Sequence, residues 1–366
     1  MSNSNKPRVL IVDDNAGNLK ILLELLHEDY AVKVAKSGSA ALQQALAAPR
    51  PDIILLDIMM PEIDGFEVCM RLKSNPETWS IPVLFITALD QDTDQERGLT
   101  IGAVDYITKP FNPVLVKARV RSQIDLKQHR DKLAELVDER TQQLAETQDI
   151  TIQALATLAE TRDPETGGHI KRTQSYVGIL ARALASLPEF AAALSPENIG
   201  LLEKSAPLHD VGKVGVPDHI LLKPGKLSEE EFAVMKNHCL YGLQAMKAAQ
   251  KTLGKESFLR YAAEIAGSHH EKWDGSGYPH GLCGDAIPLS GRIMAVADVY
   301  DALISKRVYK PPFPHSKALA ILSEGSGSHF DPRIVQAMLA NSEAFRQTAL
   351  EFADYPEERA ALQPLA

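Results

Sequence analysis

The sequence predicts a multidomain chain: a doubly wound α/β domain, a long helical linker and an all-α domain. Three observations carry that expectation. Five short β-branched runs alternate with helical spacings over the first 110 or so residues, which implies a parallel sheet covered on both faces. From Val114 to Glu160 there is neither Pro nor Gly, and charged residues alternate with Leu and Ile as in an extended helix. After Asp163 the strand signal disappears and apolar spacings of three and four dominate.

Composition narrows the class. With 366 residues, 45% hydrophobic and 24% charged, the chain reads as globular and is too long for one typical domain. A net charge of −9 gives no electrostatic reason to bind a nucleic acid polymer, and no basic recognition helix follows the first domain. No apolar run approaches the roughly 18 residues of a membrane span, and Met1 to Arg8 lacks a signal peptide's apolar core. Cys69, Cys239 and Cys283 stand far apart without a Cys-x-x-Cys pair and read as reduced thiols, so the expected location is cytoplasmic.

In the first domain the runs Arg8 to Val12, Val32 to Ala35, Ile53 to Leu56, Val83 to Ile86 and Asp105 to Ile107 are expected strands. Leu19, Leu22, Leu23 and Leu26 mark one of the intervening helices. Functional groups of such a sheet gather at the carboxyl ends of its strands, and those ends carry Asp13, Asp14, Asp57, Thr87 and Lys109. Three crowded carboxylates repel one another unless a hard cation sits among them, and Mg²⁺ suits oxygen ligands. A carboxylate neutralised in this way can attack a phosphoryl donor, with Thr87 bonding and Lys109 pairing with the added group.

These residues resemble a response-regulator receiver domain, whose fold is flavodoxin-like. Asp13-Asp14, Asp57 followed by Met60-Pro61 and Asp64-Gly65, Thr87-Ala88 and Lys109-Pro110 match that family's motif over residues 6–125. The resemblance implies that Asp57 is the phosphoacceptor. It also implies that Asp14, Asp57 and the Met59 carbonyl hold Mg²⁺ with Asp13 assisting, and that Tyr106 is the aromatic switch residue. A cis peptide is expected at Lys109-Pro110. The linker, residues 126–160, keeps a heptad-like seam through Leu126, Leu133 and Leu136 that Arg140 and Gln143 interrupt. Either a two-stranded coil between copies or a helix packed on its own neighbour fits that pattern.

The helical domain gathers metal-ligand chemistry. Asp163-Pro164 reads as a cap opening a helix on which Glu165 and His169 share one face. His209-Asp210 follows Ile199, Leu202 and Ala206 near a helix end closed by Gly212, and His238 is placed on the helix that begins after Ser228. His269-His270 ends a further helix ahead of a glycine-rich turn, and Asp298 lies on an alanine- and valine-rich helix from Arg292 to Ile304. One such group alone is more often a satisfied core residue than a ligand. Five of the chain's eleven histidines together with Glu165, Asp210 and Asp298 are enough for two divalent metals bridged by Asp210, with Glu165 a candidate for a third. Imidazole and carboxylate suit Fe, Mn, Co, Ni or Zn.

His209-Asp210 with Gly212-Lys213, His269-His270-Glu271 with Asp274-Gly275, and Gly277-Tyr278-Pro279 resemble the HD-GYP domain, a helical phosphohydrolase family that cleaves cyclic di-GMP. The stretches from Arg292 to Leu303 and from Gly327 to Pro332 match it too. The resemblance implies an all-α, HD-type, metal-dependent phosphohydrolase over 161–345, followed by a tail over 346–366. It implies metal ligation by Glu165, His169, His209, Asp210, His238, His269, His270 and Asp298. His209, Asp210 and Lys213 are then the expected catalytic groups, Lys213 on the scissile phosphate. Arg307, Tyr309 and Lys310 are candidates for a second phosphate or a guanine, against the alternative of a solvated helix end. Asp301 is a further candidate, His329 a structural residue, and Glu271 and Asp274 are expected to orient imidazoles or fix the loop. The expected reaction is attack of a metal-bound hydroxide on cyclic di-GMP, giving pGpG and/or GMP, under control of phosphorylation at Asp57. Preference for linear pGpG or another cyclic dinucleotide, and a signalling scaffold that binds nucleotide with little catalysis, remain as alternatives. Expected partners are a cognate histidine kinase or small phosphodonor, a second copy of the chain through the linker, and a diguanylate cyclase or other signalling protein.

Overall fold

The computed structural model describes residues 6–88, 100–161, 167–254, 257–307 and 311–363. They divide into one unit within Met1–Gln142 and a second within Gln143–Ala366. In the first unit the β-branched runs form Arg8–Val12 (β1), Ala31–Ala35 (β2), Ile53–Asp57 (β3), Val83–Ala88 (β4) and Asp105–Lys109 (β5). All pair in parallel, in the order β2-β1-β3-β4-β5. The expected doubly wound sheet is present.

Successive strand residues face opposite sides, so each strand feeds two apolar layers. Leu10, Ile54, Leu56, Val83 and Phe85 pack with Gly38–Leu46 (α2) and Gly65–Ser74 (α3). Val9, Ile11, Leu55 and Leu84 pack with Ala16–Leu26 (α1) and with Val116, Val120 and Ile124 of Pro113–Glu160 (α4). Caps fix where the helices start: Asn15 accepts from the Gly17 and Asn18 amides, and Asp64 from Glu67. Strand order reverses between β1 and β3, which opens a crevice at their carboxyl ends.

The linker pattern forms one uninterrupted helix. α4 runs for 48 residues, roughly 72 Å at 1.5 Å per residue. Pro113 opens it, and the Asn112 side chain accepts from the Val114 and Leu115 amides. Its last turns bury Ile152, Ala156 and Ala159, whereas Leu126, Leu133, Leu136 and Leu144 are exposed.

The second unit is helical: Gly167–Leu184 (α5), Pro196–Ser205 (α6), Glu229–Met235 (α7), Asn237–Leu253 (α8), Phe258–Ser268 (α9) and Leu289–Ile304 (α10). His315–Glu324 (α11), Pro332–Ala340 (α12), Ser342–Glu351 (α13) and Pro356–Leu362 (α14) complete it. Its core centres on Tyr176, stacked on Phe345 at 4.5 Å, with Tyr300 edge-on to both.

Three details differ from the sequence reading. His238 is not on the helix that Ser228 caps; that helix stops at Met235 and α8 begins at Asn237. The Met235 carbonyl accepts from the His238 ring, and this side-chain insertion accompanies the interruption of the backbone ladder. His209 and Asp210 sit between the 3₁₀ turns Ala206–Leu208 and Val211–Gly215 rather than at an α-helix end, because Pro207 has no amide with which to continue α6. Residues 346–363, read as a tail, build α13 and α14 and bury Ala349 and Leu362 in the core. Among the described residues no helix is long and apolar enough to cross a membrane.

Candidate metal centre and phosphoacceptor pocket

At the crevice of the first unit, Asp13 and Asp57 are buried and Asp14 is exposed, with one oxygen from each within 4.8 Å of the others. Asn15 donates its amide to Asp13 at 2.8 Å and Asn18 its side-chain amide at 2.9 Å. Lys109 Nζ reaches Asp57 at 3.0 Å and Asp13 at 3.2 Å. One ammonium against three carboxylates leaves the pocket anionic, which fits a hard divalent cation such as Mg²⁺. Burial pushes the Asp57 carboxyl up, Lys109 opposes this, and the Asp13 charge adds to the rise. Thr87 is buried at the end of β4, its hydroxyl donating to the Ala88 carbonyl at 3.2 Å. Tyr106 is half-buried under the Arg119 guanidinium, and the Met59 side chain is exposed. The Lys109-Pro110 peptide is cis.

In the second unit seven of the eight expected ligands converge from five segments: α5 (His169), the turns around His209 and Asp210, α8 (His238), the end of α9 (His269, His270) and α10 (Asp298). Four imidazoles have Nδ1 on an acceptor. His169 donates to Asp301 at 2.8 Å, His209 to the Ala206 carbonyl at 3.0 Å, His238 to the Met235 carbonyl at 2.8 Å and His269 to the Ile265 carbonyl at 2.9 Å. Carbonyls and carboxylates cannot donate, so Nδ1 carries a proton and Nε2 is the nitrogen that can offer a lone pair to a metal once it is deprotonated. Those Nε2 atoms turn inward. His169 and His209 bring theirs within 3.4 Å of each other, close enough to share one proton or to face one cation.

Two donor groups result: His169, His209 and Asp298, and His238, Cys239, His269 and His270. Asp210 stands between them, with Oδ2 3.4 Å from His209 Nε2 and Oδ1 3.2 Å from His238 Nε2 and 3.5 Å from His269 Nε2. Asp210 Oδ1 and His269 Nε2 are buried without an aligned hydrogen bond among the described residues. Unsatisfied polar atoms of this kind, facing a shared space, fit divalent metals.

The electrostatics agree. Burial would raise the Asp210 carboxyl, but Lys213, 2.7 Å from Oδ2, and His209 hold it well below the usual carboxylate range. Burial, reinforced by His269, holds His270 far below the usual imidazole value and so neutral. Burial also works against protonating His238, yet the Asp210 carboxylate outweighs it and pushes that imidazole up to about 10. A ligand must be deprotonated to bind, so metal and proton compete at His238.

Supporting residues surround the centre. Asp301, buried, accepts from His169 and also from Arg172 at 2.6 and 3.0 Å. Arg172, also buried, donates on to the Phe352 carbonyl and Asp354. Gly168 allows that approach, since a Cβ there would overlap Asp354, Arg172 and the Phe352 carbonyl. Glu271 accepts from the His280 and Leu282 amides at 2.7 and 3.0 Å, and Asp274 from the Ser276 amide at 2.8 Å, so both fix the loop. Gly277 lies so close to the His270–Lys272 backbone that no Cβ fits, which lets Tyr278 lay its ring on His270 at 4.8 Å. The adjoining Tyr278-Pro279 peptide is cis. His329 supports the same loop, its carbonyl accepting from the Trp273 amide.

Arg307 is exposed beyond the end of α10, and Glu165, Tyr309 and Lys310 lie outside the described residues. Sequence reasoning missed Cys239, Arg172 and Glu160, whose carboxylate lies 4.0 Å from His169 Nε2. A signal existed for two: Arg172 is three residues from His169 on one helix face, and Cys239 adjoins His238.

Comparison with known proteins identifies both domains. The profile of the response regulator receiver domain matches residues 9–121 and that of the HD domain residues 133–334. A Vibrio cholerae protein named "Probable cyclic di-GMP phosphodiesterase" is 47% identical over 373 residues, spanning 100% of this chain and 84% of that one. A cyclic di-GMP phosphodiesterase response regulator of Xanthomonas campestris pv. campestris is 36% identical over 94% of this chain and 90% of its own length. A 3'3'-cGAMP-specific phosphodiesterase 2 of Vibrio cholerae is 42% identical over 55% of this chain and 36% of its own length. Matched along its whole length and through both domains, the chain belongs to the response regulators that join an N-terminal receiver domain to a C-terminal HD domain.

Proposed function

We infer that the chain is a phosphorylation-responsive phosphodiesterase that hydrolyses cyclic di-GMP to pGpG and/or GMP. The observation that carries this reading is the pair of donor groups facing each other across Asp210, in a chain whose full-length relatives bear that activity in their names. Two divalent ions, drawn from Fe, Mn, Ni, Co and Zn, would be held by His169, His209 and Asp298 on one side and His238, His269 and His270 on the other. Once bound they supply Lewis acidity at the phosphodiester and lower the pKa of water.

The chain's own residues do the rest. Asp210 offers one oxygen to each side and fixes the spacing of the two groups. Lys213, half-buried and tethered to Asp210, stands where its ammonium can turn to a non-bridging phosphate oxygen as negative charge builds there. Arg307, Tyr309 and Lys310 would hold the remaining phosphate or a guanine. In the receiver domain, Asp57 would accept the phosphoryl group from a histidine kinase or a small phosphodonor, and Asp14, Asp57 and the Met59 carbonyl, with Asp13 assisting, would hold Mg²⁺. The exposed leucines of α4 would pair two copies of the chain.

The test is turnover of cyclic di-GMP by metal-loaded protein beside a His209→Ala, Asp210→Ala variant. Equal product from the two would remove the assignment. Preference for a different cyclic dinucleotide is favoured by one observation, the 42% identity to a 3'3'-cGAMP-specific enzyme over 55% of this chain. Initial rates on cyclic di-GMP, 3'3'-cGAMP and linear pGpG from one preparation distinguish these substrates.

A further inference from the structure

Cys239 takes no part in the ligand set inferred above, yet it sits inside the second donor group. Its side chain is buried, and Sγ lies 3.4 Å from His238 Nε2. Successive helix positions diverge by about 100°, but here the tips of His238 and Cys239 converge on the space that His269 and His270 also face. Into that space point the two buried atoms without an aligned hydrogen bond, Asp210 Oδ1 and His269 Nε2.

The spacings are those of donors sharing one ion. With metal–nitrogen bonds of about 2.1 Å and metal–sulfur bonds of about 2.3 Å, neighbouring donors stand roughly 3.0–3.8 Å apart at angles of 90–120°. Cys239 Sγ to His238 Nε2 is 3.4 Å, His238 Nε2 to Asp210 Oδ1 is 3.2 Å and His269 Nε2 to Asp210 Oδ1 is 3.5 Å.

Resting on the metal reading above, we propose that Cys239 is a sulfur ligand of the ion held by His238, His269, His270 and Asp210. Binding replaces the Sγ–H bond with a sulfur–metal bond and releases one proton to solvent. The two halves of the centre then differ in kind. The side of His169, His209 and Asp298 offers nitrogen and oxygen alone, whereas the Cys239 side carries a soft donor. That side favours zinc or iron over manganese.

Cobalt tests this directly. Protein stripped of metal and refilled anaerobically with Co²⁺ is expected to show an intense near-ultraviolet thiolate-to-cobalt charge-transfer band. The band should persist in a Cys69→Ser, Cys283→Ser variant and vanish in Cys239→Ser, with Cys239→Ala as a second variant and circular dichroism checking that each is folded. Cys239→Ser should also weaken one of the two cobalt equivalents about tenfold or more, leaving the other unchanged. Two bound equivalents without the band in the unmutated protein, or a band that survives Cys239→Ser, overturn the sulfur ligand alone. Failure to bind cobalt at all overturns the metal centre and the sulfur ligand with it.

Discussion

His169 is useful to a metal only while its ring holds one tautomer and one angle, and both depend on Asp301. Burial favours a neutral Asp301, but the Arg172 charge and the hydrogen bonds from His169 and Arg172 hold the carboxyl well below the usual carboxylate range. Asp301→Asn keeps the shape and removes the charge. We expect metal affinity on the His169 side to fall about 10–100-fold, read by metal titration. We also expect stability to fall by up to about 3–5 kcal/mol, because Arg172 is left buried with a weaker partner. Unchanged metal affinity would show that His169 does not need this support. At the phosphoacceptor pocket, Asp57→Asn is expected to abolish the mass increase that acetyl phosphate produces, and chelating Mg²⁺ should do the same to the unmutated chain. A mass increase retained by Asp57→Asn would place the phosphoryl group elsewhere. His209, His269, His270, Asp13 and Asp14 are legible in the sequence because each adjoins another ionisable group, and Asp57 because it ends an apolar run. The pairing of Arg172 with Asp301 is not, since 129 residues separate two side chains that touch only once the helices pack.

Elements announce themselves in the sequence when their ends carry the signal. The five strands do so through β-branched runs that stop at carboxylates or Gly/Pro-rich turns, and α4 does so by lacking Pro and Gly. The break between α7 and α8 has no such marker, because it coincides with a side chain, His238, taking the Met235 carbonyl. A legible case is α12, where Asp331 caps the helix through the Arg333 amide at 3.0 Å. The same carboxylate accepts from Arg292 of α10 at 2.7 Å and from the Arg333 guanidinium, so one residue pins two helices. Burial acts to raise the Asp331 carboxyl, but the bonds from Arg333 and Arg292 outweigh it and lower the value. A carboxyl lowered on folding stabilises the fold above its unfolded value of about 3.9 and loses that contribution as pH falls through the lower folded value. Asp331→Ala should therefore cost about 2–4 kcal/mol near neutral pH, from the lost cap and from the loss of the buried partner of Arg292, which keeps its bond to the exposed Asp285. In urea unfolding the gap from the unmutated chain should stay constant down to about pH 4 and narrow below it. A gap that widens on acidification would contradict this assignment.

At the scale of the molecule, the surprise lies from residue 345 onward, where no motif marks the sequence and the helices are short. Phe345 nevertheless stacks on Tyr176, and the Phe352–Asp354 segment receives Arg172, so this end of the chain belongs to the fold of the metal centre. Phe345→Ala should cost about 3–5 kcal/mol by emptying the middle of the core, measured by denaturant unfolding. Tertiary burial of this kind is invisible to periodicity in a seven- or ten-residue helix. The helix that was legible, α4, raises the opposite question of what its continuity is for. It has no Pro or Gly from Val114 to Glu160 to absorb a twist, so a displacement at its receiver end can reach its other end as a rotation or a shift. An insertion between Gln142 and Gln143 separates phase from length. Eleven residues add about three turns and leave the face within about 20° of its original direction, while five residues turn it by about 140°. If α4 carries the phosphorylation response, the ratio of turnover with and without an acyl-phosphate analogue on Asp57 should survive the longer insertion and collapse with the shorter. Equal ratios in all three proteins would mean that the response does not depend on the phase of this helix. Loss in both would tie it to the length of α4, since the longer insertion moves its ends apart by about 16 Å with hardly any rotation.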